Sequence, residues 1–532
     1  MGKLIPHING YNWAVVIFVA LGTTSVAYGL ACISGALGQA TFYKAMGLPA
    51  SSSDPDYSKT SDFISGINGC LCAGGFAGVV INMYTVKKFG RKRTLQVAAL
   101  IFILGGAMQA GANGQGMFYA ARAITGLGLG SLVTAIPMYQ AELSTPASRG
   151  FMVSMTGIMF AIGYTLSGWI NFATYFYGEN NPDSSFAWRF PLAFQVAPVL
   201  VMVIGSPILP FSPRWLAEQG RKKEALDVLI KLHSSPEDPR DEYARMEYIQ
   251  MTKQMEYDRK IANDLGSFPI LRTPANRKRM YLGFGIMWGA QFTGVFVIAS
   301  YGVLIYTSLG MKGSIPLLLN AIWTSITIPG NIFTALFVDK LGRRTFFLIG
   351  FSGVLVALIF ECALQAQFLG TDNVAGQNAA IFFIFFFIAF WCSCLDATIY
   401  VYLSEIFPSY LRTTGQSVGM MGYFLSAVIV IVAAPIALNN IGWKFFLVLI
   451  IHTAIFLVCI ILFYPETKQR SIEDLNAIFG DNVVLHFYGA TEEEKAEYER
   501  EIERELGMEY GKAQGAHVEN ATESKETPVT VV

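Results

Sequence analysis

Two short basic stretches decide the reading of this chain: Phe89-Gly90-Arg91-Lys92-Arg93 and Asp339-Lys340-Leu341-Gly342-Arg343-Arg344. Each closes one apolar run and opens the next. A second pair follows each of them downstream. Glu142 precedes Arg149-Gly150, and Glu405 precedes Arg412, with an acid-to-Arg spacing of seven in both cases. Matching motifs at matching places mean that one unit occurs twice.

Working outward from these stretches, the chain divides into apolar runs of the length a spanning helix needs, about 20 residues. The runs lie near 11–37, 62–85, 94–112, 116–140, 150–176 and 188–209, then 281–308, 315–338, 345–369, 379–403, 413–438 and 443–464. The expected fold is therefore an all-α membrane protein. It has twelve transmembrane helices in two pseudo-symmetric six-helix halves, 1–209 and 281–464. A polar linker, 210–280, joins them, and a polar tail, 465–532, follows. Such a repeat is the architecture of a secondary transporter, with its solute near the bilayer midplane between the halves.

Composition agrees. Of 532 residues, 53% are apolar and 14% charged, against about a quarter charged in soluble proteins. The linker and tail carry 48 of the 76 charged residues. Lys plus Arg and Asp plus Glu are 38 each, so no basic excess exists to neutralise phosphates and nucleic acid is not a partner. Five His and seven Cys, the latter all in apolar stretches, give no metal site, cofactor site or disulfide framework. No Ser-His-Asp arrangement suggests an enzyme. Gly126-x-Gly128-x-Gly130 lies inside an apolar run with no strand before it, so it reads as helix packing rather than a nucleotide loop.

The basic stretches, with Lys87 and Lys88, lie on one side, and the loops opposite are poor in Lys and Arg. The positive-inside rule makes the basic side cytoplasmic, along with both termini and the linker. The first eleven residues lack a basic n-region and a cleavage site, so the first run is expected to be retained. The linker reads as short amphipathic helices, near 221–233 and 240–261. The tail is acidic over 491–510 and then polar. Asn520-Ala-Thr522, a glycosylation acceptor by pattern, lies on the cytoplasmic side and is discounted.

The paired motifs also suggest chemistry. Arg–carboxylate pairing is planar, bidentate and geometrically strict. Arg91, Glu142 and Arg149 in the first half, and Asp339, Arg343, Arg344, Glu405 and Arg412 in the second, are expected to form a latch. The latch would hold the halves together in one state and break in the other. Arg122 lies about 20 residues before Glu142, near the outer end, and is expected to pair within its half and to act in gating. Asp396 lies nine residues before Glu405, about 13 Å deeper along a helix. The hydrocarbon half-thickness is about 15 Å, so Asp396 falls near the midplane. A carboxylate there is a functional candidate, to bind a hydroxyl or a cation or to carry a coupling proton.

The ordered motifs resemble those of the sugar porters of the major facilitator superfamily, particularly fungal hexose-transporter-like members. They are Arg122-x-x-x-Gly126-x-Gly128-x-Gly130, Pro137-x-Tyr139-x-x-Glu142-x-x-x-Pro146-x-x-Arg149-Gly150, Ser212-Pro213-Arg214-Trp215-Leu216, Asp339-x-x-Gly342-Arg343-Arg344, Ser404-Glu405-Ile406-Phe407-Pro408 and Pro465-Glu466-Thr467-Lys468. The resemblance covers about 11–479. It implies plasma-membrane transport of a sugar, typically a monosaccharide, by alternating access. That transport is either facilitated or proton-coupled.

Several positions depart from the family pattern. Ala27-Tyr28-Gly29 stands where proton-coupled members carry Gly-Tyr-Asp, which favours facilitated transport. Gly157 replaces a sugar-binding Gln. In Ala290-Gln291-Phe292-Thr293-Gly294-Val295-Phe296 only Gln291 survives from the usual amide set, and Tyr400 occupies a Trp position. The expected substrate site is Gln291, Phe296, Tyr301, Asp396, Tyr400 and Tyr423, with Asn171, Asn320 and Thr327 as further polar candidates. Fewer amides suit a less polar or stacking solute, so a permease for a quinate-like acid, polyol or secondary metabolite is the alternative. A non-transporting nutrient sensor is a third reading, weakened by the modest tail. The expected partners are a small-molecule solute, a proton if transport is coupled, and the bilayer.

Overall fold

The structure, a computed structural model, describes residues 9–468 and residue 479, apart from 51–53, 145–148, 182, 235–240, 267, 372 and 409. The described residues are helical, with no strand among them. Nine stretches among them are long and apolar enough to cross a membrane. Two of these, Tyr57–Ala110 and Arg412–Phe463, hold 54 and 52 residues. At 1.5 Å per residue each would span nearly 80 Å, over twice the hydrocarbon thickness of about 30 Å, so neither is one crossing.

The physical breaks are glycines. Within Tyr57–Ala110 the chain turns at Gly90 (φ 78°, ψ 165°), and between Thr327–Leu341 and Arg343–Phe368 it turns at Gly342 (φ 93°, ψ 155°). The two halves thus repeat in backbone conformation as well as in sequence, in a region of positive φ that only glycine enters without strain. At Gly90 a Cβ would lie 2.8 Å from the Trp215 ring. Trp215 is itself held by its Nε1 donating to the Lys87 carbonyl at 3.3 Å. At Gly342 a Cβ would lie 2.5 Å from the end of the Glu466 side chain. Gly90→Ala and Gly342→Ala are both expected to lower the melting temperature of the purified protein. Strain in this positive-φ region costs about 1–3 kcal/mol in each, and Gly90→Ala loses more because an anchored ring cannot yield. Equal melting of Gly90→Ala and wild type would refute this account.

Small residues set the helix spacing. Cβ atoms added at Gly74, Gly78, Gly126 and Gly130 would come within 2.0–2.2 Å of backbone carbonyls of the facing helix. Tyr57–Ala110 and Gln115–Leu143 therefore pack backbone to backbone, as small residues permit in lipid. Gly75 similarly admits the Phe424 ring of the other half. Outward faces carry exposed Ile204, Val97, Ile451 and Leu462, the surface a bilayer would cover.

The linker folds as Pro213–Glu218, Lys222–His233, Glu242–Leu265 and Pro269–Arg272. Ser212 caps the first, its Oγ accepting from the Trp215 N–H. Trp215, Leu216, Leu226, Leu229 and Tyr248 form a small core of its own, which is why a charge-rich segment is ordered. The helices expected near 221–233 and 240–261 are present with shifted ends. The acidic stretch 491–510 and Asn520 lie outside the described residues.

Candidate functional site

A cavity between the halves is lined by Phe160, Tyr164, Gln291, Val295, Phe296, Ala299, Trp323, Thr327, Ile388, Trp391, Asp396, Tyr400 and Tyr423. The structure thus brings together Gln291, Phe296, Asp396, Tyr400 and Tyr423. Phe160 and Tyr164 come from Arg149–Asn180 in the first half, and the others come from the second half. Three helices of the second half are interrupted at this level, at residues 292–294, at Ile326 and at Leu395. Gln291 ends one segment, while Thr327 and Asp396 begin others. Interrupted helices at the solute level are a recurrent device of transporters.

Asp396 is buried, and its Oδ2 accepts from Asn331 Nδ2 at 2.9 Å. Asn331 also donates to the Thr327 carbonyl at 3.1 Å. A Cβ on Gly157 would lie 3.5 Å from Asn331 Cγ and 2.6 Å from its Oδ1, which has no hydrogen-bond partner among the described residues. The position where the family pattern carries an amide is therefore the space that Asn331 uses from the opposite half. Sequence reasoning missed Asn331. Its signal was a polar residue four positions after Thr327, one helical turn along the same face. It also missed the aromatic wall of Phe160, Tyr164, Trp323 and Trp391. Phe160 stacks on Tyr400 with centroids 6.0 Å apart, and Phe296 meets Tyr423 edge-on at 5.4 Å. The free volume at the centre is about 20 Å³, about enough for one water, so the walls must part to admit a solute.

Tyr301 is not part of this cavity. Its hydroxyl accepts from Asn68 Nδ2 at 3.0 Å and donates to the Ile431 carbonyl at 2.9 Å. It lies instead on a polar chain through Arg122, whose Nη2 donates to Asn68 Oδ1 at 2.6 Å. Arg122 also donates to the carbonyls of Ile67 and Gly29, at 3.3 and 3.5 Å. The fully buried guanidinium thus holds backbone and an amide, and reaches the second half through Asn68 and Tyr301. No ion pair of Arg122 occurs among the described residues. Asn171 bonds the Cys32 carbonyl and Asn320 packs at Gly302, so neither lines the cavity. Trp169 donates to Ser325 at 2.9 Å and Thr165 to the Thr324 carbonyl at 3.1 Å, adding contacts between the halves.

The ion pairs differ from the expected latch. Arg91 Nη2 meets Glu142 Oε1 at 2.6 Å, and Ser212 Oγ donates to the other carboxylate oxygen at 2.6 Å. Arg343 Nη2 meets Glu405 Oε1 at 2.5 Å and Asp339 at 2.7 Å, and Thr467 Oγ1 donates to Glu405 at 2.7 Å. Each pair lies within its own half, so in this structure neither bridges the halves. The reason is geometric. The Gly90 and Gly342 turns aim each guanidinium at the neighbouring helix end of the same bundle. Arg344 donates to the Ile461 carbonyl at 2.7 Å within the same half, and its N–H to Glu466 at the start of the tail, so it too does not reach the first half. Arg412 is buried at the start of its helix. The Arg149 side chain lies outside the described residues. A direct tie between halves on this face is Lys87 Nζ to Thr414 Oγ1 at 3.3 Å.

Residues 15–479 match the family described as "Sugar (and other) transporter". The MFS-type transporter criB of Aspergillus cristatus is 32% identical over 414 residues, covering 78% of this chain and 84% of that one. A probable quinate permease of Aspergillus fumigatus is 26% identical over 538 residues, 96% of each chain. Among solved structures, the proton:xylose symporter XylE has a similar fold, with TM-score 0.73 and 22% identity over 89% of this chain and 100% of that one.

Proposed function

Because this chain belongs to the sugar (and other) transporter family, a family of membrane transporters rather than enzymes, we propose that it carries a small hydroxylated ring solute, a monosaccharide or cyclic polyol, by alternating access through the central cavity. The supporting observation is an aromatic-walled cavity whose lining holds Gln291 and Asp396, the latter backed by Asn331, and no Lys, Arg or His. The Asp396 carboxylate and the Gln291 amide can meet solute hydroxyls, and aromatic faces take the apolar face of a saturated ring. A carboxylate solute would enter beside Asp396 with no cation to receive it, and an unpaired buried charge is costly. That argues against the quinate-like reading for this chain.

Coupling follows from Gly29 and Arg122. The carbonyl of Gly29 faces Arg122 where coupled members of the family carry a carboxylate, so facilitated exchange is the favoured mode. Asp396 is the one acidic residue in the cavity lining and is the candidate for a proton if coupling occurs. The halves 1–209 and 281–464, twelve crossings, a plasma-membrane location and a cytoplasmic linker face complete the reading.

The test is uptake by transporter-null cells of labelled hexose, pentose, cyclic polyol and quinate, with and without a protonophore. Uptake of a neutral ring solute that ignores the protonophore is expected. Quinate uptake alone would overturn the substrate class. Phe160→Ala should raise KM for the transported solute about 2- to 12-fold, since the aromatic contact is worth about 0.5–1.5 kcal/mol. An unchanged KM would remove Phe160 from the site.

A further inference from the structure

The internal repeat places different chemistry at one matched position. Gln109 stands nineteen residues after the Gly90 turn, and Glu361 stands nineteen after the Gly342 turn. Both are buried. Gln109 Nε2 donates to Thr125 Oγ1 on the next helix at 2.6 Å. Thr125 lies seventeen residues before Glu142, and the residue seventeen before Glu405 is Ile388, which offers no hydrogen bond. Glu361 turns along its own helix instead, and its Oε1 accepts from Gln365 Nε2 at 2.7 Å. Its Oε2 has no partner among the described residues, and no ion pair of Glu361 occurs among them. The first half thus carries a neutral amide where the second carries an acid.

Two more buried atoms nearby lack partners among the described residues, the Tyr306 hydroxyl and Asn320 Oδ1. Tyr306 is close enough to Glu361 to feel its charge. The Tyr306 ring and the Asn320 amide both adjoin Gly302, where a Cβ would lie 3.7 Å from the ring and 2.7 Å from Oδ1. The hydroxyl has one proton for two acceptors, Glu361 Oε2 and Asn320 Oδ1. One added proton on Glu361 supplies the missing donor. Glu361 then donates to Tyr306 and Tyr306 to Asn320, which satisfies all three atoms. Unpaired buried polar groups are costly, and a buried carboxylate with no cation beside it is more so.

Other titratable groups do not supply that donor. Cys362, on the same helix, feels the Glu361 charge, and its Sγ faces the Trp443 carbonyl. Lys444 on the adjoining turn is exposed. His452 accepts from Trp288 Nε1 at 3.1 Å. The packed stretches 315–325 and 374–391 hold no titratable residue. Asp396 and the charges around Arg343 lie toward the linker end. Glu361 is seven residues from the other end of Arg343–Phe368, about 10 Å along the helix.

We propose that Glu361 is a proton-binding site, and that a proton there joins Glu361, Tyr306 and Asn320 and draws the segment Val295–Ser308 toward its own half. That segment supplies Val295, Phe296 and Ala299 to the solute cavity. It also leans on the first half, through Tyr301 to Asn68 at 3.0 Å and through Val303 beside Gly38. Drawing it back opens the solute path on the face opposite the linker, so acid on that face favours solute entry. The proton binds and leaves on one face, and none is carried across. The effect on entry rests on the transport reading, whereas proton binding does not.

The experiment takes infrared spectra of the full-length protein in lipid bilayers, without solute, as pH is varied. A neutral-carboxyl band is expected to grow as pH falls. It should survive in Asp396→Asn, vanish in Glu361→Gln and shift in Tyr306→Phe. Glu361→Gln is expected to fold, because Gln109 fills the matched position. In cells, uptake of whichever labelled solute is carried should rise as external pH falls, no more steeply than about tenfold per pH unit, the limit for one proton. Glu361→Gln should lose that response, since its amide donates to Tyr306 at every pH. A band that Glu361→Gln leaves intact, or that pH does not alter, overturns the proton site. A wild-type uptake profile in Glu361→Gln overturns its action on the segment. The spectra need no solute, so their failure is distinct from failure of the transport reading.

Discussion

Asp396→Asn is expected to cut solute uptake about 10- to 100-fold at low solute concentration while leaving the protein folded and in the membrane. The substitution keeps the shape of the side chain and its ability to accept from Asn331 Nδ2, now at 2.9 Å. It removes the charge that strengthens hydrogen bonds to solute hydroxyls, and such charge-assisted bonds are worth about 1.5–3 kcal/mol. The loss should therefore appear mainly in KM. Asn331→Ala should act in the same direction, because Asp396 then loses the one hydrogen-bond partner its side chain has among the described residues. Uptake measured against solute concentration and against pH decides the matter. Unchanged uptake together with unchanged pH dependence in Asp396→Asn would remove this residue from the mechanism.

Arg91→Ala should have the largest effect on stability. The Arg91 and Glu142 side chains are each 4% exposed, and removing one partner of a buried pair leaves the other charge uncompensated, at about 3–5 kcal/mol. Arg343→Ala should cost less. Its partner Glu405 is 24% exposed and Asp339 51%, so water can take over part of the solvation. Thermal melting of the purified variants measures both. Adding Glu142→Ala to Arg91→Ala should restore part of the lost stability, because the orphaned carboxylate is gone. Melting of Arg91→Ala at the wild-type temperature would contradict the burial argument. The pairs lie within halves, so these variants are expected to loosen one bundle. A latch between halves would instead have predicted faster exchange with intact stability.

How far the site was legible in the sequence follows from what each residue depends on. Asp396 and Gln291 could be found because a polar group inside an apolar run is expensive and stands out. Asn331 carries the same signal, yet its partner comes from a helix 65 positions further along the chain, and no local pattern reports that distance. Tyr301 shares its residue type with Tyr400 and Tyr423. Its hydroxyl faces Asn68 and Ile431 because of where helix rotation leaves it. The latch was misjudged for a related reason. The motifs identify which charges recur, but whether an Arg reaches a Glu of its own half or of the other depends on the direction in which the glycine turn aims it.

What the sequence determined by itself was the class of molecule. Apolar runs of membrane length, the paired Gly-Arg motifs and the seven-residue acid-to-Arg spacing are local or repeated features, and local physics suffices to read them. The tertiary structure alone decided which side chains converge. It put Gly157 against Asn331, closed the aromatic wall to about 20 Å³, and set Tyr306 near Glu361. Convergence depends on how helices distant in sequence rotate and pack against each other. That packing is set by contacts between small residues and ring edges across the two halves, none of which leaves a periodic trace in the chain.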